Sequence, residues 1–414
     1  MQQEDVKEEY NWRVLTIILS ASIVTGIYRD GFAALFPLLQ VEFGLTRAQL
    51  GLQFSFLFFV SMLASVFSGR AVDIWGGKKG MVIGLIFLGL LVIMHGIAPS
   101  YIYLLIIAAI TGLGMSIIAP ATNKGVMEWF PARMRATAMG VNSAGFPIGG
   151  AVAASLLPAV GIVLGWRLAI GVAGMIVLLA ATFIFLFYRD RNIVKVKNSK
   201  GSTVKGGGVL AGIPQLLANR TMFFMGLLGF VLGLTSGAIA AHFTLFLYLD
   251  YGFSMAIAGL GFSIVQIGGG IGRPVWGLIS DQFLNGNREK GILLIGILFV
   301  GLTLVFFFTK HMHIIILLVL ALLIGLTGRG WHGLYYAAMA ERIGGDNTGT
   351  AIGFASIFIR LGLTVGAPVF GFLADLTGSY GLSWLLLGQI VFLLSLIVYY
   401  YTKRVSETEP GLSV

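Results

Sequence analysis

The sequence predicts an all-α membrane protein with twelve transmembrane helices in two six-helix pseudo-symmetric bundles. Of its 414 residues, 57% are hydrophobic and 11% are charged, and the mean hydropathy is +0.93. A water-soluble domain does not carry so apolar a composition. Each bilayer crossing needs roughly 20 apolar residues, so twelve crossings use about 240 residues and leave only short loops.

Apolar runs that end at charged residues, glycine or proline define the twelve predicted spans. They cover approximately 12–40, 47–69, 79–98, 101–126, 134–157, 165–188, 221–249, 255–279, 291–309, 312–340, 349–374 and 381–402. If the spans alternate across the bilayer, nineteen Lys and Arg residues lie on one side and three on the other. This positive-inside bias predicts cytoplasmic N- and C-termini, in a membrane that we expect to be a bacterial inner membrane.

The longest polar stretch divides the chain. Residues 189–219 are basic and rich in Gly and Ser, which predicts a cytoplasmic linker between an N-terminal bundle (1–188) and a C-terminal bundle (220–414). The bundles repeat each other, because Gly69 and Asp73 recur as Gly277 and Asp281 at an offset of 208. Two parallel repeats imply a binding site near the bilayer midplane and access by rocking of one half on the other.

The segment between the second and third spans carries a family resemblance. GRAVDIWGGKK, from Gly69 to Lys79, resembles the signature loop of the major facilitator superfamily, which implies that fold. In physical terms, Asp73 beside Arg70 and Lys78 can make charge-assisted bonds to a neighbouring helix end and form part of a cytoplasmic gate. The alternative is a solvated loop cluster. Asp281 marks the second copy of this gate.

Charges inside the predicted spans are candidate functional groups, because each costs at least a few kcal/mol unless it is paired, hydrated or used. The predicted spans contain four arginines but only one carboxylate well inside a span, Asp30. The arginines are Arg29, Arg273, Arg329 and Arg360. The surplus positive charge must be offset by water or by an anion. Because the fork-shaped guanidinium suits carboxylate, sulfonate or phosphate oxygens, we expect an anionic substrate.

Two of these arginines carry a finer resemblance. Arg273 stands in GRPVWGLISD, which looks like the corresponding segment of oxalate:formate antiporters and monocarboxylate transporters. Arg360 lies eight residues before Pro368, where the oxalate:formate group tends to have lysine. The resemblance implies small organic carboxylates. Arg273 alternatively pairs with Asp281 and belongs to the gate.

Three aromatic residues extend this resemblance. Trp331 and Tyr335 form an i, i+4 pair similar to the aromatic wall of the oxalate:formate group, and Tyr28 looks like one of its pocket tyrosines. Arginine in the first span, here Arg29, is similar instead to anion:cation symporters that carry sugar acids, which leaves substrate size open. Packing is the alternative role for Trp331 and Tyr335.

Other assignments have competing interpretations. Neighbouring Arg29 and Asp30 point about 100° apart on a helix, so Asp30 either carries a proton for symport or holds Arg29 in place. Arg329, within GRGWHG, either binds substrate or satisfies carbonyls of a glycine-loosened helix. His242 is a possible proton site or a hydrogen-bonded structural histidine. The arginine of the fourth span typical of proton-coupled members is replaced by Ala108, so coupling by that route is not expected.

The sequence thus predicts a transporter of a small organic anion, by proton symport or anion exchange, and not an enzyme. An inorganic oxyanion carrier, for nitrate for example, is less favoured, because that group usually has an arginine in the second span and none lies between Ala48 and Gly69. A membrane sensor of the same fold is the other alternative. The sequence contains no cysteine, which excludes thiolate sites, and we expect no cofactor, metal or nucleic-acid partner and a monomeric chain in the lipid bilayer.

Overall fold

The regular structure of the protein is helical throughout the described part of the chain. The computed structural model describes residues 2–191, 219–309, 311–343 and 348–408. The helices are α1 (Gln2–Arg29), α2 (Phe36–Phe43), α3 (Arg47–Trp75), α4 (Gly77–His95), α5 (Tyr101–Trp129), α6 (Ala132–Leu164), α7 (Trp166–Phe187), α8 (Arg220–Leu249), α9 (Met255–Phe283), α10 (Arg288–Phe308), α11 (Ile314–Gly328), α12 (His332–Ile343), α13 (Thr348–Thr377) and α14 (Gly381–Thr408). A short 3-10 helix, Phe32–Leu35, connects α1 to α2.

The twelve predicted spans are confirmed. In the described residues, twelve helical segments are long and apolar enough to cross a membrane, with mean hydropathies between 1.3 and 2.8. Hydrocarbon provides no hydrogen-bond partners, so the helix, which satisfies its own backbone, is the expected spanning element. Residues 192–218, most of the predicted linker, lie outside the described residues.

The chain divides into two compact units. The first comprises Met1–Leu45, Leu52–Val196 and Ser254–Ser263, and the second comprises Thr46–Gly51, Lys197–Phe253 and Ile264–Val414. In the first unit α1 packs on α6, and α4 packs on α5 and α7; in the second unit α8 packs on α13, and α10 packs on α14. The start of α3 thus belongs to the second unit and the start of α9 to the first.

The first and tenth spans are broken, whereas the sequence predicts one continuous helix for each. In the first, α1 ends at Arg29 and the 3-10 helix intervenes before α2. In the tenth, α11 ends at Gly328 and α12 begins at His332. Each break contains a glycine pressed against another helix. A Cβ on Gly31 would overlap Ala153 of α6, and one on Gly330 would lie 2.8 Å from Gly272 of α9.

Close backbone approach at glycine also holds helix pairs together. A Cβ on Gly149 of α6 would overlap the carbonyl oxygen of Ile23 in α1. In the second unit, a Cβ on Gly362 of α13 would overlap the carbonyl oxygen of Phe230 in α8. Small residues at such crossings allow the van der Waals packing that drives helix association in membranes.

Side chains cap helices at several loop boundaries. The carboxylate of Asp375 accepts hydrogen bonds from the backbone N–H groups of Arg47 (3.0 Å) and Ala48 (2.9 Å), so it caps the start of α3 within the second unit. The guanidinium of Arg47 donates to the carbonyls of Ala374 (3.0 Å) and Gly378 (3.1 Å). A carboxylate at a helix N-terminus and a cation at a C-terminus both stabilise the helix dipole.

We expect Gly149→Ala to lower the apparent melting temperature of the purified protein by a few degrees. Alanine alone favours a helix by about 1 kcal/mol over glycine, but here its methyl group must displace the backbone of Ile23, and overpacking of this kind costs about 1–3 kcal/mol. Thermal unfolding in detergent measures the difference.

Gly171→Ala is the matched control, because a Cβ on Gly171 of α7 would have no atom within 4 Å. It should leave the melting temperature unchanged or raise it. Equal melting temperatures for the two variants would contradict the proposed role of close approach at Gly149.

Candidate functional site

The break in the first span positions an ion pair. Arg29 is the last residue of α1, and its guanidinium donates to Asp30 from Nη2 at 2.7 Å and from Nε at 3.2 Å. The Asp30 side chain is 1% exposed and that of Arg29 is 19% exposed. The guanidinium also lies 4.9 Å from the ring centre of Phe146. Asp30 therefore offsets the charge of Arg29 in this structure, while Arg29 keeps an accessible edge.

Arg29 lines a small cavity in the first unit. Its other lining residues are Tyr28, Phe32, Ala33, Phe36, Gln53, Phe54 and Leu57. The Tyr28 hydroxyl lies 3.0 Å from Nε2 of His95, whose Nδ1 lies 2.8 Å from the carbonyl of Leu91. Because the carbonyl can only accept, Nδ1 donates to it, and in the neutral imidazole Nε2 then accepts from Tyr28. The sequence offered no signal for His95, since its partner lies 67 residues away.

Gln53 is a second polar residue that the sequence analysis missed. It lies in the second span, is 4% exposed, and lines the cavity with Arg29. Neither its amide oxygen nor its amide nitrogen has a hydrogen-bond partner in the described part of the chain. Gln266 of α9, in the second unit, is likewise buried with both amide atoms unbonded among the described residues. Uncharged polar residues in apolar runs were the available signal for both.

The break in the tenth span and the first turn of α12 carry three of the predicted site residues. Arg329 is the C-cap of α11 and is 9% exposed. Trp331 Nε1 donates to the carbonyl of Gly328 at 3.0 Å, and the Tyr335 hydroxyl donates to the carbonyl of Met225 at 2.8 Å. Trp331 and Tyr335 are fully buried, with ring centres 5.8 Å apart in an edge-to-face arrangement. Their polar atoms are thus bonded to backbone of the second unit.

Arg360 is half-buried in the unbroken helix α13. Among the described residues it forms no ion pair with a carboxylate, in contrast to Arg29. Arg273 is half-buried on α9. These two arginines belong to the second unit.

His242 is fully buried and uses both ring nitrogens. Nε2 lies 2.7 Å from the carbonyl of Ala367 and therefore donates, while Nδ1 lies 3.0 Å from the hydroxyl of Tyr380. These contacts hold the imidazole between α8 and α13, and in its neutral form Nδ1 accepts from Tyr380. A coupling role for His242 stays a prediction.

The predicted cytoplasmic gate of the first unit has different contacts from those expected. α3 continues through Trp75, so Arg70 and Asp73 are helical and exposed. The carboxylate at the neighbouring helix end is that of Asp190, which accepts from the backbone N–H of Lys78 at 2.7 Å. Lys124 Nζ donates to the carbonyl of Asp73 at 3.0 Å.

In the second unit, Asp281 pairs with Arg288, whereas the sequence suggested Arg273 as its partner. Arg288 also donates to Glu341 at 3.0 Å, so its guanidinium bridges α9 and α12. The short turn before α10, which includes Asn285 at φ 52°, brings Arg288 back to the end of α9. The described residues contain no group of three or more potential metal ligands.

Comparison with known proteins identifies the family. The sequence model of the Major Facilitator Superfamily matches residues 18–282 and 225–413. The chain is 24% identical to a hexuronate transporter of Bacillus subtilis (strain 168) over 411 residues, covering 96% of both chains. It is 23% identical to a probable sulfoacetate transporter of Cupriavidus necator over 397 residues, covering 91% of this chain and 90% of the relative. Both relatives are transporters and not enzymes, and they do not point specifically to oxalate:formate antiporters.

The fold has a close counterpart among solved structures. A bacterial homologue of the human lysosomal transporter Spinster, in an inward-facing and unoccupied conformation, superposes with a TM-score of 0.80 at 16% identity, covering 98% of both chains. Together with the twelve spans, these matches show that the chain is a multi-pass membrane protein belonging to the Major Facilitator Superfamily.

Proposed function

We propose that the protein transports a small organic anion by alternating access, and that it recognises a carboxylate through buried arginine. The observation that carries the proposal is Arg360. Its guanidinium is half-buried inside a span and has no carboxylate partner among the described residues. A charge in that position costs free energy unless something offsets it, and an anionic substrate does so with two parallel hydrogen bonds.

The names of the relatives support an organic anion. Hexuronate carries a carboxylate on a hydroxylated chain, and sulfoacetate carries a carboxylate and a sulfonate. An arginine fork binds either group. The resemblance of Arg273 and Arg360 to the oxalate:formate group favours small carboxylates, whereas the relatives extend the candidates to sugar acids and sulfonates.

Arg29 is proposed as a second ligand, in the first unit. It lines the cavity with Tyr28 and keeps an accessible edge despite its ion pair with Asp30. Arg329, at the break of the tenth span, and the neighbouring pair Trp331 and Tyr335 are further proposed ligands.

Asp30 is proposed as the proton carrier for anion:proton symport. Its carboxylate is 1% exposed and is paired with the guanidinium of Arg29. When a substrate anion binds the Arg29 guanidinium, that guanidinium no longer serves Asp30 alone. A buried carboxylate without a full counter-charge favours its protonated form, so substrate binding and proton binding support each other.

The remaining proposals concern placement and gating. The distribution of Lys and Arg supports cytoplasmic termini, and the bacterial relatives support an inner membrane. The chain is proposed to act as a monomer. Arg70, Asp73 and Lys78 in the first unit, and Arg273 and Asp281 in the second, are proposed gate residues. The contacts that support gating are the helix cap on Lys78 and the pairing of Asp281 with Arg288.

We expect Arg360→Gln to lower the initial uptake rate of a transported anion by about thirtyfold or more, because loss of one partner from a buried charge pair costs about 2–5 kcal/mol. Uptake of labelled D-glucuronate and sulfoacetate into proteoliposomes provides the measurement. Arg360→Lys should keep part of the activity, since a point charge replaces a fork.

The matched control is Arg220→Gln, which removes an exposed guanidinium at the start of α8. It should transport at the wild-type rate. Wild-type uptake by Arg360→Gln at a normal expression level would overturn the assignment of Arg360.

We expect Asp30→Asn to lose accumulation driven by a pH gradient but to keep substrate exchange at equal pH on both sides. The neutral amide cannot carry the proton, whereas Arg29 remains available to the anion. Uptake and counterflow in the same proteoliposomes separate the two activities.

A purely structural Asp30 gives a different pattern, in which the variant loses gradient-driven uptake and exchange together. If wild-type uptake ignores an imposed pH gradient, symport is wrong and exchange or uniport replaces it.

A further inference from the structure

We propose that Gln53 is a specificity-determining residue that binds a hydroxyl group of the transported anion, so that the protein prefers hydroxylated acids. This inference rests on the proposed function and deepens it. It starts from an observation independent of the arginines, namely a buried amide whose two polar atoms are unbonded within the described residues.

The energetic argument begins with burial. Gln53 lies in the seventh position of α3, inside the second span, and is 4% exposed. A buried donor or acceptor left without a partner costs about 1–3 kcal/mol, and the apolar side chains that line the cavity offer no replacement partner. Leucine at this position would avoid that cost. The amide is therefore a site at which a bound ligand gains hydrogen bonds that the protein alone does not make.

The surroundings of Gln53 limit what can reach it. The cavity that it lines also contains the Arg29 guanidinium and the Tyr28 side chain, and five apolar residues complete the wall. The Tyr28 hydroxyl is already committed to His95. Arg29 and Gln53 thus provide the polar groups of this cavity that remain for a ligand.

The size of the cavity indicates the size of the group. About 10 Å³ of it is open to the centre of a water-sized group, which is roughly the minimum needed to hold one water molecule. One hydroxyl group fits this space, and a whole sugar acid does not. The rest of the substrate must lie outside this cavity, with a single polar substituent inserted beside Arg29.

The chemistry of the amide selects the kind of substituent. Glutamine offers a donor and an acceptor side by side, and a hydroxyl group has both complementary functions. A second carboxylate would use only the NH₂ group and would face the amide oxygen with like partial charge. A methylene would leave both amide atoms unbonded. Gln53 therefore favours a hydroxyl over either alternative.

The test compares two acids that differ in hydroxyl content. D-glucuronate carries hydroxyl groups and sulfoacetate carries none. Dissociation constants are obtained from the rise in apparent melting temperature of the purified full chain with ligand concentration. The variants are Gln53→Leu, which keeps the shape, and Gln49→Leu as matched control. The Gln49 amide lies one turn earlier on α3 and accepts from the backbone N–H of Thr46 at 2.9 Å.

We expect Gln53→Leu to weaken D-glucuronate binding by about tenfold or more, the effect of losing hydrogen bonds to a buried partner. Sulfoacetate binding should change by less than about threefold. The ligand-free melting temperature should stay equal or rise, because the substitution removes an unbonded amide. Gln49→Leu should leave the ratio of the two constants unchanged.

Other outcomes overturn the inference in distinguishable ways. Equal weakening of both ligands, or a lower ligand-free melting temperature, would assign Gln53 a structural role and leave the proposed function intact. If the wild-type protein binds sulfoacetate but does not bind D-glucuronate, hydroxyl recognition is rejected and the proposed function stands. Failure of the wild-type protein to bind either anion would reject the proposed function and the inference together.

Discussion

Hydrocarbon offers no hydrogen bonds, and this constraint shapes the backbone, the charges and the polar side chains of the protein alike. Every spanning segment is helical because a helix satisfies its own N–H and C=O groups. Where a span is interrupted, the exposed backbone must find partners or be packed against protein. Both interruptions in the described residues meet this requirement with a glycine, Gly31 or Gly330, placed against a neighbouring helix.

In both interrupted spans, the helix before the interruption ends at an arginine. Arg29 closes α1, and Arg329 caps α11. A cation at the C-terminal end of a helix interacts favourably with the carbonyl end of the dipole, so each arginine stabilises the helix end that carries it. The same placement brings a guanidinium into the middle of a span. Structural and ligand-binding roles are therefore compatible at these positions, and Asp30 shows how one of the charges is offset within the protein.

The polar side chains inside the spans fall into two groups. His95, His242, Trp331 and Tyr335 have their hydrogen bonds met by backbone carbonyls or tyrosine hydroxyls, so they fix the packing of helices within one unit. Arg360, which has no carboxylate partner among the described residues, and Gln53 and Gln266, whose amides are unbonded among them, form the second group. The free energy that burial costs this second group is available to a ligand, whereas the hydrogen bonds of the first group are already made within the protein.

Composition, hydropathy and charge distribution along the chain determined the twelve spans, the all-helical class and the candidate arginines, because each of these properties is local in sequence. The tertiary structure alone decided which atoms meet. It broke the first and tenth spans, paired Asp281 with Arg288 where the sequence suggested Arg273, and placed Asp190 on the helix end where Asp73 was expected. It also joined Tyr28 to His95 and left Gln53 without a partner among the described residues. These contacts join helices far apart in sequence, and their geometry depends on how closely glycines let the helices approach, which no local pattern encodes.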